Sequence, residues 1–158
     1  MPEKETLRRA RADKRAGKSP STQAGEFVRE EMHHVREGKH GVRSTKQAIA
    51  IGLSKARRAG VKLGRPPAGA KASTKKNAAS ARRAASHRTR RRPALRRARA
   101  TRRALKRESR SGASHRALAR HAKSAARQRS SAARRASARR AARTRKRGTA
   151  RRRVNSTN

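Results

Sequence analysis

Residues 44–60 read STKQAIAIGLSKARRAG and carry the start, the buried face and the stop of one helix. Ser44-Thr45-Lys46-Gln47 fits a capping box, in which the hydroxyl and the side-chain amide each satisfy a backbone N–H that the first turn leaves free. Ala48, Ile49, Gly52, Leu53 and Ala56 recur at helical spacing on one face. The helix is expected to run to about Ala59 and stop at Gly60. Gly52, at the centre of the apolar face, lets a second helix approach closely.

Working outward, residues 19–38, SPSTQAGEFVREEMHHVREG, supply that second helix. Ser19 caps it, Pro20 takes the first helical position and Gly38 closes it. Ala24, Phe27, Val28, Met32 and Val35 fall on one face, and Glu26, Glu30 and Glu37 on the opposite one. An acidic stripe is repelled by phosphates, so this helix is expected to support the fold with its acids outward. A first helix is expected between Pro2 and Gly17. It has Glu3 and Glu5 early and Lys14 and Arg15 late, which suits the helix dipole, and a thin apolar face of Leu7 and Ala10. The candidate core is Leu7, Phe27, Val28, Met32, Val35, Val42, Ile49, Ile51, Leu53, Val61 and Leu63. A domain of about 60 residues buries only about 60% of its surface and is marginal, so a homodimer through these helices would add burial.

The 158-residue chain carries 50 Lys plus Arg against 8 Asp plus Glu, a formal net charge of +42. Its charge is unevenly placed. Residues 1–63 hold a net +9 and residues 64–158 a net +33, with Glu108 the one acid after residue 37. The boundary is set at Gly64-Arg65-Pro66-Pro67, where two prolines halt any helix. The expected fold class is therefore all-α. A small N-terminal domain of two or three helices over 1–63 is followed by a Pro/Gly linker over 64–70. Residues 71–158 form an Arg/Ala/Ser-rich basic tail that is disordered or conditionally helical.

The stretch KSPSTQAGEFVREEMHHVREGKHGVRSTKQAIAIGLSKARRAGVKL, residues 18–63, resembles a family of small basic bacterial proteins that share a helical domain of unknown function. The two signatures are SPSTQAGEFVREE at Ser19–Glu31 and KQAIAIGLSKARRAG at Lys46–Gly60. Members tend to be labelled DNA-binding by inference from charge. The resemblance implies a bacterial source and a helical domain, and it carries over no catalytic residue. Residues 68–158 resemble bacterial linker-histone-like tails, with Arg in place of the usual Lys.

Charge of one sign at this density opposes a compact state unless a polyanion neutralises it. In the tail, Ser-Ala-Ala/Arg-Arg units recur irregularly, and Pro93 and Gly112 divide it into about three potential helices. Ala and Arg favour helix, while repulsion between arginines opposes it until phosphates are present. Thirty-four charges over these 95 residues put one per about 4 Å of helix, against one DNA phosphate charge per about 1.7 Å of axis. Single-strand binders stack bases on aromatic rings, and none follows Phe27.

The expected function is sequence-nonspecific binding of double-stranded DNA by phosphate neutralisation, with coating or compaction of the nucleoid in the cytoplasm. An RNA- or ribosome-associated protein, or a scaffold for acidic partners, is the alternative. The phosphate-contacting residues are expected to be Lys46, Lys55, Arg57, Arg58 and Lys62, with Arg65 in the linker. In the tail they are Arg82, Arg83, Arg90, Arg91, Arg92, Arg96, Arg97, Arg102, Arg103, Arg134, Arg135, Arg139, Arg140, Arg151, Arg152 and Arg153.

Sharper motifs give way to plainer readings. Gly64-Arg65-Pro66 matches the centre of a minor-groove hook but lacks the preceding arginine, so it reads as linker. His33, His34 and His40 beside Glu30 and Glu37 read as a solvated face with weak i,i+4 ion pairs, and no metal or other cofactor is expected. Arg134-Arg135-Ala136-Ser137 resembles a basophilic kinase site and reads as a spacer. The chain has no cysteine, no Gly-rich phosphate loop and no apolar run of membrane-spanning length, and no enzymatic activity is expected.

Overall fold

Ser19 and Ser44 both act as caps. Each hydroxyl accepts the backbone N–H three residues on, from Thr22 and from Gln47, at 3.3 Å. The Gln47 side chain reaches back one residue further than a capping box requires and accepts the Arg43 N–H at 2.8 Å. The structure, a computed structural model, describes residues 2–66, 68–86 and 95–155, with side chains up to residue 145 except that of Thr144. Among these residues there are seven α-helices and no strand, so the chain is all-α. They are α1 (Lys4–Arg15), α2 (Pro20–Arg36), α3 (Thr45–Arg58), α4 (Ala72–Ser86), α5 (Leu95–Arg107), α6 (His115–Arg127) and α7 (Ser131–Asn155), with a 3-10 turn at Ser111–Ala113. The chain divides into two compact units, Met1–Leu118 and Ala119–Asn158.

The first three helices stop where glycine permits. Gly38 has φ +78°, its N–H bonds the Val35 carbonyl, and the next N–H, of Lys39, bonds the His34 carbonyl. This double closure satisfies carbonyls that the helix end leaves free. Gly17 and Gly60 end α1 and α3 with the same pattern.

Helices α1 and α3 pack on α2, and α4 packs on α3. All eleven expected core residues enter one of two apolar clusters. One surrounds Met32, Val35, Val42 and Ala48; the other surrounds Ala10, Ala24, Phe27 and Ala56. Gly52 is the point of closest approach between α2 and α3. A Cβ there would lie 2.7 Å from Val28 Cα and 3.0 Å from the Phe27 carbonyl oxygen.

Packing does not end at Leu63. Ala78 and Ala81 of α4 are buried, and Ala113 is fully buried in the Met32/Val35 cluster, against which Leu118 also packs. The segment from α5 to the 3-10 turn docks on residues 36–45 through its backbone. The Leu105 carbonyl accepts the Gly41 N–H and the Ser109 carbonyl accepts the Val42 N–H, both at 2.8 Å. The Gly112 carbonyl accepts the Thr45 hydroxyl at 2.7 Å, and the Ala113 carbonyl accepts Arg36 Nε–H at 2.8 Å. Gly112 breaks the helical run, as its type suggests, but it is also buried. A Cβ on it would lie 2.9 Å from Val42 Cγ2.

The helix count expected from sequence is thus too low. Small residues from 72–118 extend the packed unit, because alanine and glycine can bury against an existing apolar surface without a bulky pattern of their own. After Ala68 the described chain holds four helices rather than three. The additional start comes from serine caps: Ser114 Oγ accepts the Ala117 N–H and Ser130 Oγ the Ala133 N–H, each at 3.2 Å.

Candidate nucleic-acid interface

The cationic surface of the first unit is built where α3 meets α4. Alanines 78 and 81 let α4 lie against α3, and this brings Arg82 near Arg57. Arg57 is half-buried, with its Nε shielded from solvent and no hydrogen-bond partner there. Burial, and then the charge of Arg82, lower the Arg57 pKa from its ordinary value. Arg58, Lys62, Arg65, Arg82 and Arg83 are exposed, as is Lys46 in the first turn of α3. An anion bound here would be attracted by several cations at once.

Helix α5 buries no residue and contains no acid. Arg96, Arg97, Arg102 and Arg103 on it are all exposed. In the second unit Arg134, Arg135, Arg139 and Arg140 of α7 are exposed. Arg90, Arg91 and Arg92 lie outside the described residues, and for Arg151, Arg152 and Arg153 the side chains do.

Lys55 has a different place from the one its sequence position suggests. Its Nζ lies 2.8 Å from Glu30 Oε1 and 2.8 Å from Glu31 Oε2, and those two carboxylates are almost wholly buried. It is a neutralising group of the interior and does not face outward with Arg57 and Arg58. Burial opposes the charge on Lys55, but the hydrogen bond to Glu30 and the adjacent Glu31 carboxylate outweigh it and raise the pKa. Burial likewise opposes ionisation of Glu30. Lys55, the backbone N–H of Glu3 and the Thr6 hydroxyl reverse that and hold Glu30 below the usual carboxylate value. The Glu3 N–H, just ahead of α1, donates to Glu30 Oε2 at 3.1 Å, so the positive end of the α1 dipole also faces this carboxylate.

The acidic stripe of α2 is therefore covered at Glu26 and Glu30 and exposed at Glu37. Glu26 sits 3.1 Å from Arg9 Nε of α1, Glu30 is buried, and Glu37 pairs with Lys39 at 3.0 Å. The cover is not legible from α2 alone, because α1 has few apolar residues and binds through ion pairs as well as through Leu7 and Ala10. The histidine pairs also differ. His34 Nε2 lies 2.7 Å from Glu3 Oε1, and His40 Nε2 lies 3.2 Å from Glu31 Oε1. His33 is exposed.

Residues 11–67 match the model of a family of unknown function (DUF6496). The match spans α2 and α3 with the last five residues of α1, and it is to an uncharacterised helical domain family. Among curated proteins none matches the chain, and among solved structures none does. No helix of the described residues is long and apolar enough to cross a membrane.

Proposed function

We propose that the protein binds double-stranded DNA without reading its sequence, and that it coats or compacts the nucleoid. The observation that carries this reading is the arginine-bearing α3–α4 junction. Packing of α4 on α3 gathers Arg57 and Arg58 with Arg82 and Arg83 in one packed unit, with no acid anywhere in residues 38–107. Each phosphate engaged there releases counterions. Arginine adds forked hydrogen bonds to phosphate oxygens. The exposed cations of α5 and α7 extend the same chemistry along the chain. The α2 acids do not oppose it, since each is paired or buried.

The deciding experiment measures binding of the full-length protein to duplexes of unrelated sequence across a salt series, with duplex RNA and single-stranded DNA alongside. A steep linear fall of log K with log salt, similar for all DNA duplexes and stronger for duplex DNA than for the other polymers, is expected. A shallow slope, one preferred DNA site, or tighter binding to RNA would overturn the proposal.

A further inference from the structure

Glu31, His34 and His40 come together in a way the sequence does not announce. Glu31 and His34 are spaced i,i+3 on α2 and so project from one side of it. The loop after Gly38 returns His40 over them. Glu31 is fully buried and both histidines are half-buried. One donor atom from each of the three lies within 4.8 Å of the other two.

The His40 Nδ1 lies 3.1 Å from the Gly41 carbonyl oxygen, which can only accept, so Nδ1 donates there. Its Nε2 lies 3.2 Å from Glu31 Oε1. Neither Glu31 oxygen receives a well-aligned hydrogen bond, although Lys55 Nζ stands 2.8 Å from Oε2. A cation beside Oε1 would supply the contact that this buried carboxylate lacks.

We propose that Glu31, His34 and His40 form a binding site for one divalent transition-metal ion of the zinc class. Two imidazoles and a carboxylate are a three-ligand donor set that such ions accept, with the fourth position left for water. Bonds of about 2.0–2.1 Å require donors about 3.3 Å apart in a tetrahedral site. The donor atoms lie within 4.8 Å of one another, so binding requires the side chains to draw together. The outer contacts suit the role: the Gly41 carbonyl fixes the His40 tautomer, and Glu3 Oε1, 2.7 Å from His34 Nε2, orients the second ring. Glu3, Glu30, Glu31 and Glu37 gather here together with Arg9, Arg29, Lys39 and Lys55. His40 borders an open cavity of about 460 Å³ lined also by Gly41, Lys106, Glu108 and Arg110. A bound ion would tie α2 to the loop whose next residues, Gly41 and Val42, dock the segment after α5.

The test uses the metal-free, nucleic-acid-free full-length protein titrated with Zn²⁺ by calorimetry, and with Co²⁺ by visible absorption and by proton NMR of the histidine rings. One ion per chain is expected, with a four-coordinate cobalt spectrum and selective broadening of the His34 and His40 signals. His34→Ala and His40→Ala are each expected to weaken binding at least about tenfold. His33→Ala, which alters an exposed neighbour, should leave it unchanged. If one ligand variant does not fold by circular dichroism, the other decides, and the cobalt NMR on the unaltered protein needs no variant. No binding, equal loss in His33→Ala, or broadening spread over all histidines would overturn the proposal.

Discussion

At Lys55 the interior and the surface of this protein compete for one charge. The ammonium is placed between two almost fully buried carboxylates, so its removal leaves negative charge in a shielded site with nothing to balance it. Breaking a buried pair from one side costs about 3–5 kcal/mol. Lys55→Met is expected to lower stability by about that amount in urea unfolding, and Lys55→Arg by much less. A Met variant as stable as the parent would show that the cluster contributes nothing to the fold. Two glycines give a paired prediction. Gly52→Ala gains about 1 kcal/mol of helix propensity but drives a Cβ to 2.7 Å from backbone that cannot yield. Overpacking of that kind costs about 1–3 kcal/mol, so the variant is expected to be net destabilised. Gly25 lies within α2 with open space around it, and Gly25→Ala is expected to stabilise by about 0.5–1 kcal/mol. Opposite signs in thermal melts would confirm that Gly52 serves a close approach. That role is readable from sequence, since a glycine at the centre of an apolar helix face has little other use. The position of Lys55 is not, because its partners stand 24 and 25 residues earlier in the chain.

At the scale of elements, α1 to α3 follow from local signals. Caps, glycine stops and apolar spacing agree with one another, and each acts within a few residues. Helix α4 is less legible, since only its alanines show where it packs. The α3–α4 junction supplies the element-scale prediction. Arg57→Glu together with Arg58→Glu replaces two attractions by two repulsions on the proposed binding side. It is expected to weaken duplex DNA binding and reduce the salt slope by about two units. Glu30 is no suitable reversal control, because its carboxylate is buried against Lys55. Glu37, exposed and paired only with Lys39 among its described ion pairs, serves instead. Glu37→Lys is expected to leave binding unchanged or strengthen it. Equal effects of the two reversals, with helicity intact, would remove α3 from the interface.

For the whole molecule, the question is where the chain can be cut. A fragment ending at Ala68 lacks Gly112, Ala113 and the carbonyls that receive Gly41, Val42, Thr45 and Arg36. It uncovers Val42 and the Met32/Val35 cluster and is expected to melt well below the full-length protein. A fragment ending at Leu118 keeps these contacts and is expected to melt close to it. The second fragment also loses fifteen Lys plus Arg and no acid. Its DNA affinity should therefore fall and its salt slope flatten while its stability holds. Equal melting of the two fragments would mean that docking of residues 105–113 adds nothing to the first unit. By itself the sequence determined the helical class, the limits of the first three helices, the eleven bulky core residues and the cationic excess. These rest on propensity, periodicity and composition, which act locally or simply sum along the chain. Only the tertiary structure decided which charges face inward, that Ala113 completes the core, and that Glu31, His34 and His40 meet. An ion pair is set by distance in space, and small residues bury wherever a surface is offered, so neither leaves a periodic mark.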